Sequence, residues 1–461
     1  MNAWLSPQSL AALAVTLIFL AVALQRPSRA VLAYAVLGAA PPILQLGAFS
    51  GRTISQGLLL AEALATVLFG AWLSRHHVRV ARTDFEKPLF AFVAVCLASM
   101  AAIMVLPDHR VENSTSTAVS VGQILLVLWP VGVYVAAAEF ITDTTHLRWL
   151  QRAMVTLAVA QLAAPFAPVP WRPYVGWAWT FGTFASPFAL AATFSTTSVP
   201  ARAFYLMIAL LPFARGLEEG KAFLYGYVAV AGLTVLAIRA SRLGALLAGL
   251  GIAVGLVAVI VFGEEALLRP LELLLNKERS QMSFGGATGR GGLALAAFSI
   301  WLEAPLLGVG PGNSYIYMLQ RSPIGTPHNQ YLNILVEFGI VGLTAWLVFL
   351  VAAWRTGLRI YRDATHPVHR SFALGWLGMF AGMVAGGVTG DFMIHSIRNG
   401  GIELFSGYYL QWVLLGGLVA IPALERRRLE TSSAPAATPR YWRRQPPRRL
   451  PAPSAASLPA R

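Results

Sequence analysis

Thirteen stretches of this chain lack Lys and Arg altogether and carry at most one acid. They are residues 1–25, 30–51, 53–74, 88–106, 119–138, 153–171, 173–201, 203–214, 222–238, 243–263, 330–354, 371–390 and 404–424. A helix rises about 1.5 Å per residue, so roughly 20 apolar residues span a bilayer core of about 30 Å. The short run 203–214 leaves the count at 12 or 13. The pattern predicts an all-α polytopic integral membrane protein with about 12–13 transmembrane helices. Composition excludes the alternative: charged residues make up 12% of the chain, about half the soluble norm, too few to cover a water-soluble globule of 461 residues. The single cysteine, Cys96, sits in an uncharged run, which excludes a disulfide framework and a cysteine-based zinc site.

Short loops rich in Lys and Arg stay on the cytoplasmic side. Arg75, Arg79, Arg82 and Lys87 mark one such loop, and Arg355, Arg359, Arg362 and Arg370 another. The C-terminal segment 425–461, with nine Arg and two Glu, is the most basic of all. The expected organisation is N-terminal transmembrane helices over 1–262, a large periplasmic loop with short helices over 263–329, C-terminal transmembrane helices over 330–424, and a disordered basic cytoplasmic tail. The net charge of +15 therefore reports topology and contact with membrane lipids, not nucleic acid. One parity stays open. If 183–214 crosses twice, Arg242 falls near the cytoplasm; if it is one helix broken at Ser195-Thr-Thr-Ser-Val-Pro200, Arg242 falls outside.

Chemistry is sought in the outward loops. The apolar stretch Leu293–Leu302 is too short to span and reads as an interfacial helix, followed by a Pro/Gly turn from Pro305 to Gly312. The glycines there either make a tight turn or aim amides at a phosphate. Pro327-His328-Asn329-Gln330 opens the next helix. His328 reads as a general base for a hydroxyl or as an interfacial hydrogen-bonding residue. Glu337 falls on the opposite face of that helix from His328, which suits a contact with a neighbouring helix, and Gly339 and Gly342 suit close helix packing. Arg242 lies between two apolar runs, a costly place for a charge unless it meets an anion. Arg172 lies among Trp171, Trp177 and Trp179, either an aromatic belt or a sugar platform. Glu62 is an intramembrane acid and the one residue favouring a transporter. No metal site and no cofactor motif is found.

The block Pro305-Leu-Leu-Gly-Val-Gly-Pro-Gly-Asn-Ser-Tyr315, followed by His328-Asn-Gln-Tyr-Leu-Asn-Ile-Leu-Val-Glu-Phe-Gly-Ile-Val-Gly342, resembles the signature of the O-antigen ligase and polymerase superfamily. Upstream, Ser241-Arg242-Leu-Gly-Ala is similar to its Ser-Arg-Gly-Ala element. Phe181-Gly-Thr-Phe-Ala-Ser-Pro187 is similar to its Gly-Thr-Phe-x-Asn-Pro-Asn element, with Ser186 and Phe188 replacing the two Asn. The resemblance implies a metal-independent, inverting glycosyltransferase of the bacterial inner membrane with its active site facing the periplasm. Its donor would be an undecaprenyl-diphosphate-linked glycan, and its acceptor lipid A core or a second lipid-linked glycan. It implies His328 as the base and Arg242 and Arg172 on the diphosphate. Arg290, Asn329, Trp177 and Trp179 are further candidate substrate contacts. It also favours the broken-helix topology, with Arg242 outside.

Overall fold

The computed structural model describes residues 7–37, 56–74, 83–105, 117–163, 179–218, 222–239, 290–322, 324–388, 390, 393–394 and 405–433. Among them are 14 helices and no strand. The helices are α1 (Pro7–Gln25), α2 (Pro27–Leu37), α3 (Gln56–Leu73), α4 (Glu86–Val105), α5 (Thr117–Phe140), α6 (Thr144–Ala163) and α7 (Trp179–Ser195). They continue with α8 (Val199–Glu218), α9 (Ala222–Arg239), α10 (Arg290–Glu303), α11 (Ser314–Arg321), α12 (Gln330–Asp363), α13 (Pro367–Gly386) and α14 (Phe405–Ser433). Every apolar run of the sequence except 243–263, which lies outside the described residues, has its described part largely on a helix. Three described helices are long and apolar enough to cross a membrane: Glu86–Val105, Val119–Phe140 and Gln330–Asp363. Proline sits inside α5, α7, α8 and α14, as apolar bundles permit when neighbours satisfy the freed carbonyls.

Close approach depends on small residues, because lipid supplies no hydrophobic drive between helices. α13 runs through the bundle with Gly375, Gly378 and Gly382 on its surface. A Cβ at Gly375 would fall 2.7 Å from the Phe188 ring of α7. One at Gly378 would fall 2.5 Å from Val235 of α9, and one at Gly382 2.8 Å from Tyr227. Gly416 likewise lets α14 lie against the Tyr134 and Ala137 backbone and side chain of α5. Cys96 is buried in α4 as a packing residue.

The basic segments share one end of this bundle. Asp84, just before α4, pairs with Arg359 of α12. Arg427 of α14 donates to Thr142 O between α5 and α6. The turn from α12 to α13 is fastened to α14 by Glu425, which accepts from Thr365 N (2.9 Å), His366 N (2.8 Å) and Thr365 Oγ1 (2.8 Å). His369, fully buried, lies 2.9 Å from Glu425 through Nδ1 and 2.9 Å from Thr144 of α6 through Nε2. Burial opposes the charge on Glu425, but the His366 amide, His369 and Thr365 outweigh it and hold its carboxyl down at about 2. Burial also holds His369 below the usual imidazole range. A neutral ring that donates from Nδ1 to the carboxylate and accepts from Thr144 satisfies all three groups. Glu425 is also why α14 continues to Ser433, past the expected boundary at 424: the first tail residue is tied into the bundle, and Arg426–Arg428 are good helix formers.

The parity question closes on two helices. α7 and α8 fold back on each other, with Ser186 Oγ donating to Ala209 O at 2.6 Å across the pair. The interruption at residues 196–198 is a hairpin turn, so the broken-helix expectation is corrected. Ser195 reaches Ser371 of α13, which puts that turn at the basic end. α9 then returns to the same end, where Arg239 lies over the Phe194 ring at 6.0 Å.

Candidate functional site

At the opposite end of the bundle, the sequence Thr326-Pro-His-Asn329 opens α12. Asn329 is its N-cap: its Oδ1 accepts from Tyr331 N at 2.9 Å and Leu332 N at 3.1 Å, satisfying two amides that a helix start leaves open. That oxygen is therefore committed, and any substrate contact by Asn329 falls to its amide nitrogen. His328 precedes the cap with φ 48, the only positive φ on a non-glycine residue among the described ones. Its own N–H is directed to Thr326 Oγ1 at 3.2 Å. A left-handed backbone is uncommon outside glycine and marks a position fixed by its surroundings.

Those surroundings are the end of α13 and the segment after it. Gln330 N donates to Gly387 O at 2.8 Å, and Gln330 Oε1 accepts from Met393 N at 2.7 Å. Tyr331 OH donates to Val384 O at 2.6 Å. Two adjacent residues, Gln330 and Tyr331, thus lock the mouth of α12 to α13 and the segment after it, leaving His328 half-buried beside the junction. Sequence reasoning singled out His328 and Asn329 but missed Gln330, Tyr331 and Thr326. The partners of Gln330 and Tyr331 lie 53 to 63 residues away, and nothing local marks them.

α12 is broken nine residues further on. Gly339 has φ 66 and ψ −169, and the Pro305–Gly312 turn fills the gap. Val309 N donates to Val336 O (2.8 Å) and Gly310 N to Glu337 O (3.0 Å), while Ile340 N and Val341 N donate back to Pro305 O (2.9 Å) and Leu306 O (3.4 Å). Ser99 Oγ of α4 lies between Leu307 O (2.7 Å) and Glu337 O (3.0 Å). Two expectations change. The amides of Val309 and Gly310 serve the broken helix, so the tight-turn reading stands over phosphate binding for them. Gly339 is the break itself, while Gly342 packs towards Val95 of α4. Glu337 does meet a neighbouring helix, accepting from Ser314 Oγ of α11 at 2.6 Å.

α10 lies over this junction. Leu293, Ala297 and Ile300 form a second small core with Val309, Tyr317, Met318 and Val336. Arg321, at the end of α11, pairs with Glu303 at the end of α10. The other face of α10 exposes Leu295, Phe298 and Leu302, continuous through Leu306 with exposed Ile340 and Val341 of the membrane helix. An apolar face continuous with a lipid-facing one is what a helix lying in the bilayer boundary requires. Arg290 is the first residue of α10, and its side chain lies outside the described residues.

Arg172, Trp177 and Arg242 lie outside the described residues; Trp179 opens α7 and its side chain is also outside them. α9 closes far from His328. Val235 packs on Gly378, nine residues before Gly387, and Arg239 lies a turn beyond, so the helix ends about 20 Å below the site. A cysteine introduced at Ala240, with Cys96 replaced by Ser, should be labelled by a membrane-impermeant maleimide from the same side as a cysteine in the 434–461 tail. Labelling from the opposite side only would overturn the hairpin topology.

Residues 206–347 match the family model of O-antigen ligase, a stretch running from within α8 through α10, α11, His328 and the break in α12. No curated protein matches the chain.

Proposed function

We propose that this chain, which belongs to the O-antigen ligase superfamily, transfers an undecaprenyl-diphosphate-linked glycan to a hydroxyl of lipid A core at the periplasmic face of the bacterial inner membrane. Members of the family are glycosyltransferase-like enzymes whose substrates are lipid-linked polysaccharides. The observation that carries the reading is His328, held in a left-handed conformation at a capped helix mouth, at the end of the bundle away from the arginine-rich segments.

His328 accepts the proton of the acceptor hydroxyl as its oxygen attacks the anomeric carbon. The bond from that carbon to the diphosphate oxygen breaks, with inversion, and negative charge develops on the departing lipid diphosphate. A guanidinium suits that charge because it binds phosphate through two parallel hydrogen bonds and stays protonated. We assign this role to Arg290 in preference to Arg242, because α9 closes at the far end of the bundle from His328. Arg172 is kept as a second diphosphate contact, and Trp177 and Trp179 are assigned to the glycan. The apolar face of α10 gives the donor's lipid a lateral approach from the bilayer. The transporter alternative has only Glu62 behind it.

The test is the envelope glycan of a strain lacking this gene. Loss of all long chains from lipid A core, restored by the wild-type gene, is expected. Core carrying a single repeat unit would instead indicate the superfamily's polymerase reaction. Unchanged glycans would remove the transferase reading.

A further inference from the structure

We infer that Glu337 is a positioning residue: its hydrogen bond with Ser314 clasps shut the segment that holds His328. The inference rests on the proposed role of His328. Residues 313–322 and 324–338 form one folded unit, and the clasp ties its two ends. Ser314 opens α11 and donates to Glu337 Oε1 at 2.6 Å, with both residues buried. Between them the chain doubles back. Ser322 N bonds Met318 O at 2.7 Å. Gly325 lies so close to the Tyr315 ring that any side chain there would overlap it. Thr326 then receives the His328 N–H, and Asn329 caps α12.

Left-handed glycines flank the unit, Gly312 at φ 74 and Gly339 at φ 66. Both ends are therefore bends, and the orientation of the unit is set by its contacts. Glu337 makes those contacts next to the break. Its carbonyl meets Gly310 N and Ser99 Oγ, each at 3.0 Å, and its carboxylate holds α11. A buried carboxylate is costly to keep, and specifying one geometry is the best-attested reason for keeping one. Glu337 is nine residues from His328, about 13 Å along the helix. It acts through the angle of the unit, not by touching substrate. A general base displaced by about 1 Å loses on the order of a hundredfold in rate.

The test uses the gene-deletion strain carrying variants at matched membrane levels, scored for long-chain glycan, and hydrogen exchange of the purified full-length protein. Glu337→Ala and Ser314→Ala should each lower glycan transfer roughly tenfold or more and speed exchange at residues 309–310 and 330–338. Glu337→Gln keeps an acceptor oxygen for Ser314 and should stay within about threefold of wild type. The double variant should be no worse than Glu337→Ala alone, as members of one interaction behave. Ser314→Ala with wild-type glycan and exchange would overturn the clasp, as would Glu337→Gln as inactive as Glu337→Ala. If His328→Ala still transferred glycan while Ser314→Ala loosened the unit, the clasp would stand and the catalytic reading would fall.

Discussion

Replacing His328 with Ala should lower glycan transfer by two to four orders of magnitude, the range a lost general base accounts for, while the protein inserts and melts as before. The glycine variant makes the sharper test. At φ 48 a non-glycine residue bears a strain of about 1–2 kcal/mol, and glycine relieves it. Glycine's greater freedom in the unfolded chain costs about 0.5–1 kcal/mol in the other direction. The melting temperature of His328→Gly should therefore stay level or rise slightly, even as transfer disappears. A histidine that only shaped the turn would give the opposite pattern, with activity kept or improved as the strain is released. His328→Gln extends the argument. It retains hydrogen-bonding groups but cannot hold a proton near neutral pH, so it too should be inactive. Transfer at the wild-type rate by the purified Gly or Ala variant would end the catalytic assignment.

The division between what the residues disclose and what they conceal follows from the range of the interactions. Membrane helices are legible because lipid demands a long uncharged run from each helix by itself, as in 88–106 and 119–138, now α4 and α5. The mouth of α12 is legible for a similar reason, since Asn329 caps a helix that starts one residue later. The α7–α8 hairpin was not, because Ser195-Thr-Thr-Ser-Val-Pro200 suits a kink and a turn equally. The choice falls to partners such as Ala209 and Ser371. The clasp was hidden in the same way: Ser314 and Glu337 stand 23 residues apart across a chain that doubles back, and Ser314 by itself is one more hydroxyl after a Pro/Gly turn. Arg242 itself lies outside the described residues; what is seen is that α9, which precedes it, ends at the basic end of the bundle with Arg239 over the Phe194 ring.

Gly339 was read as a packing residue, and its actual role sets the largest structural effect. Gly339→Ala should disrupt the junction of α12 with the Pro305–Gly312 turn and cost about 3–6 kcal/mol. One part is backbone strain, since φ 66 with ψ −169 is a region essentially reserved for glycine and costs about 1–3 kcal/mol elsewhere. The other part is contact. A Cβ at 339 would overlap the Leu306 carbonyl, the acceptor for Val341 N, so the turn must withdraw. Withdrawal exposes the partners of four backbone hydrogen bonds, each worth about 1 kcal/mol net and more when a buried group is left unpaired. Gly308→Ala should have a similar effect from the other side, because its Cβ would overlap the Glu337 carbonyl group. The pair should be less than additive, both having broken one junction. Gly70→Ala is the control: nothing lies within 4 Å of its Cβ, and alanine favours the helix of α3 by up to about 1 kcal/mol. Melting of the purified variants in detergent measures all four. A Gly339→Ala protein as stable as Gly70→Ala would mean that the turn does not hold the broken helix, and with it the orientation argued for His328 would be lost.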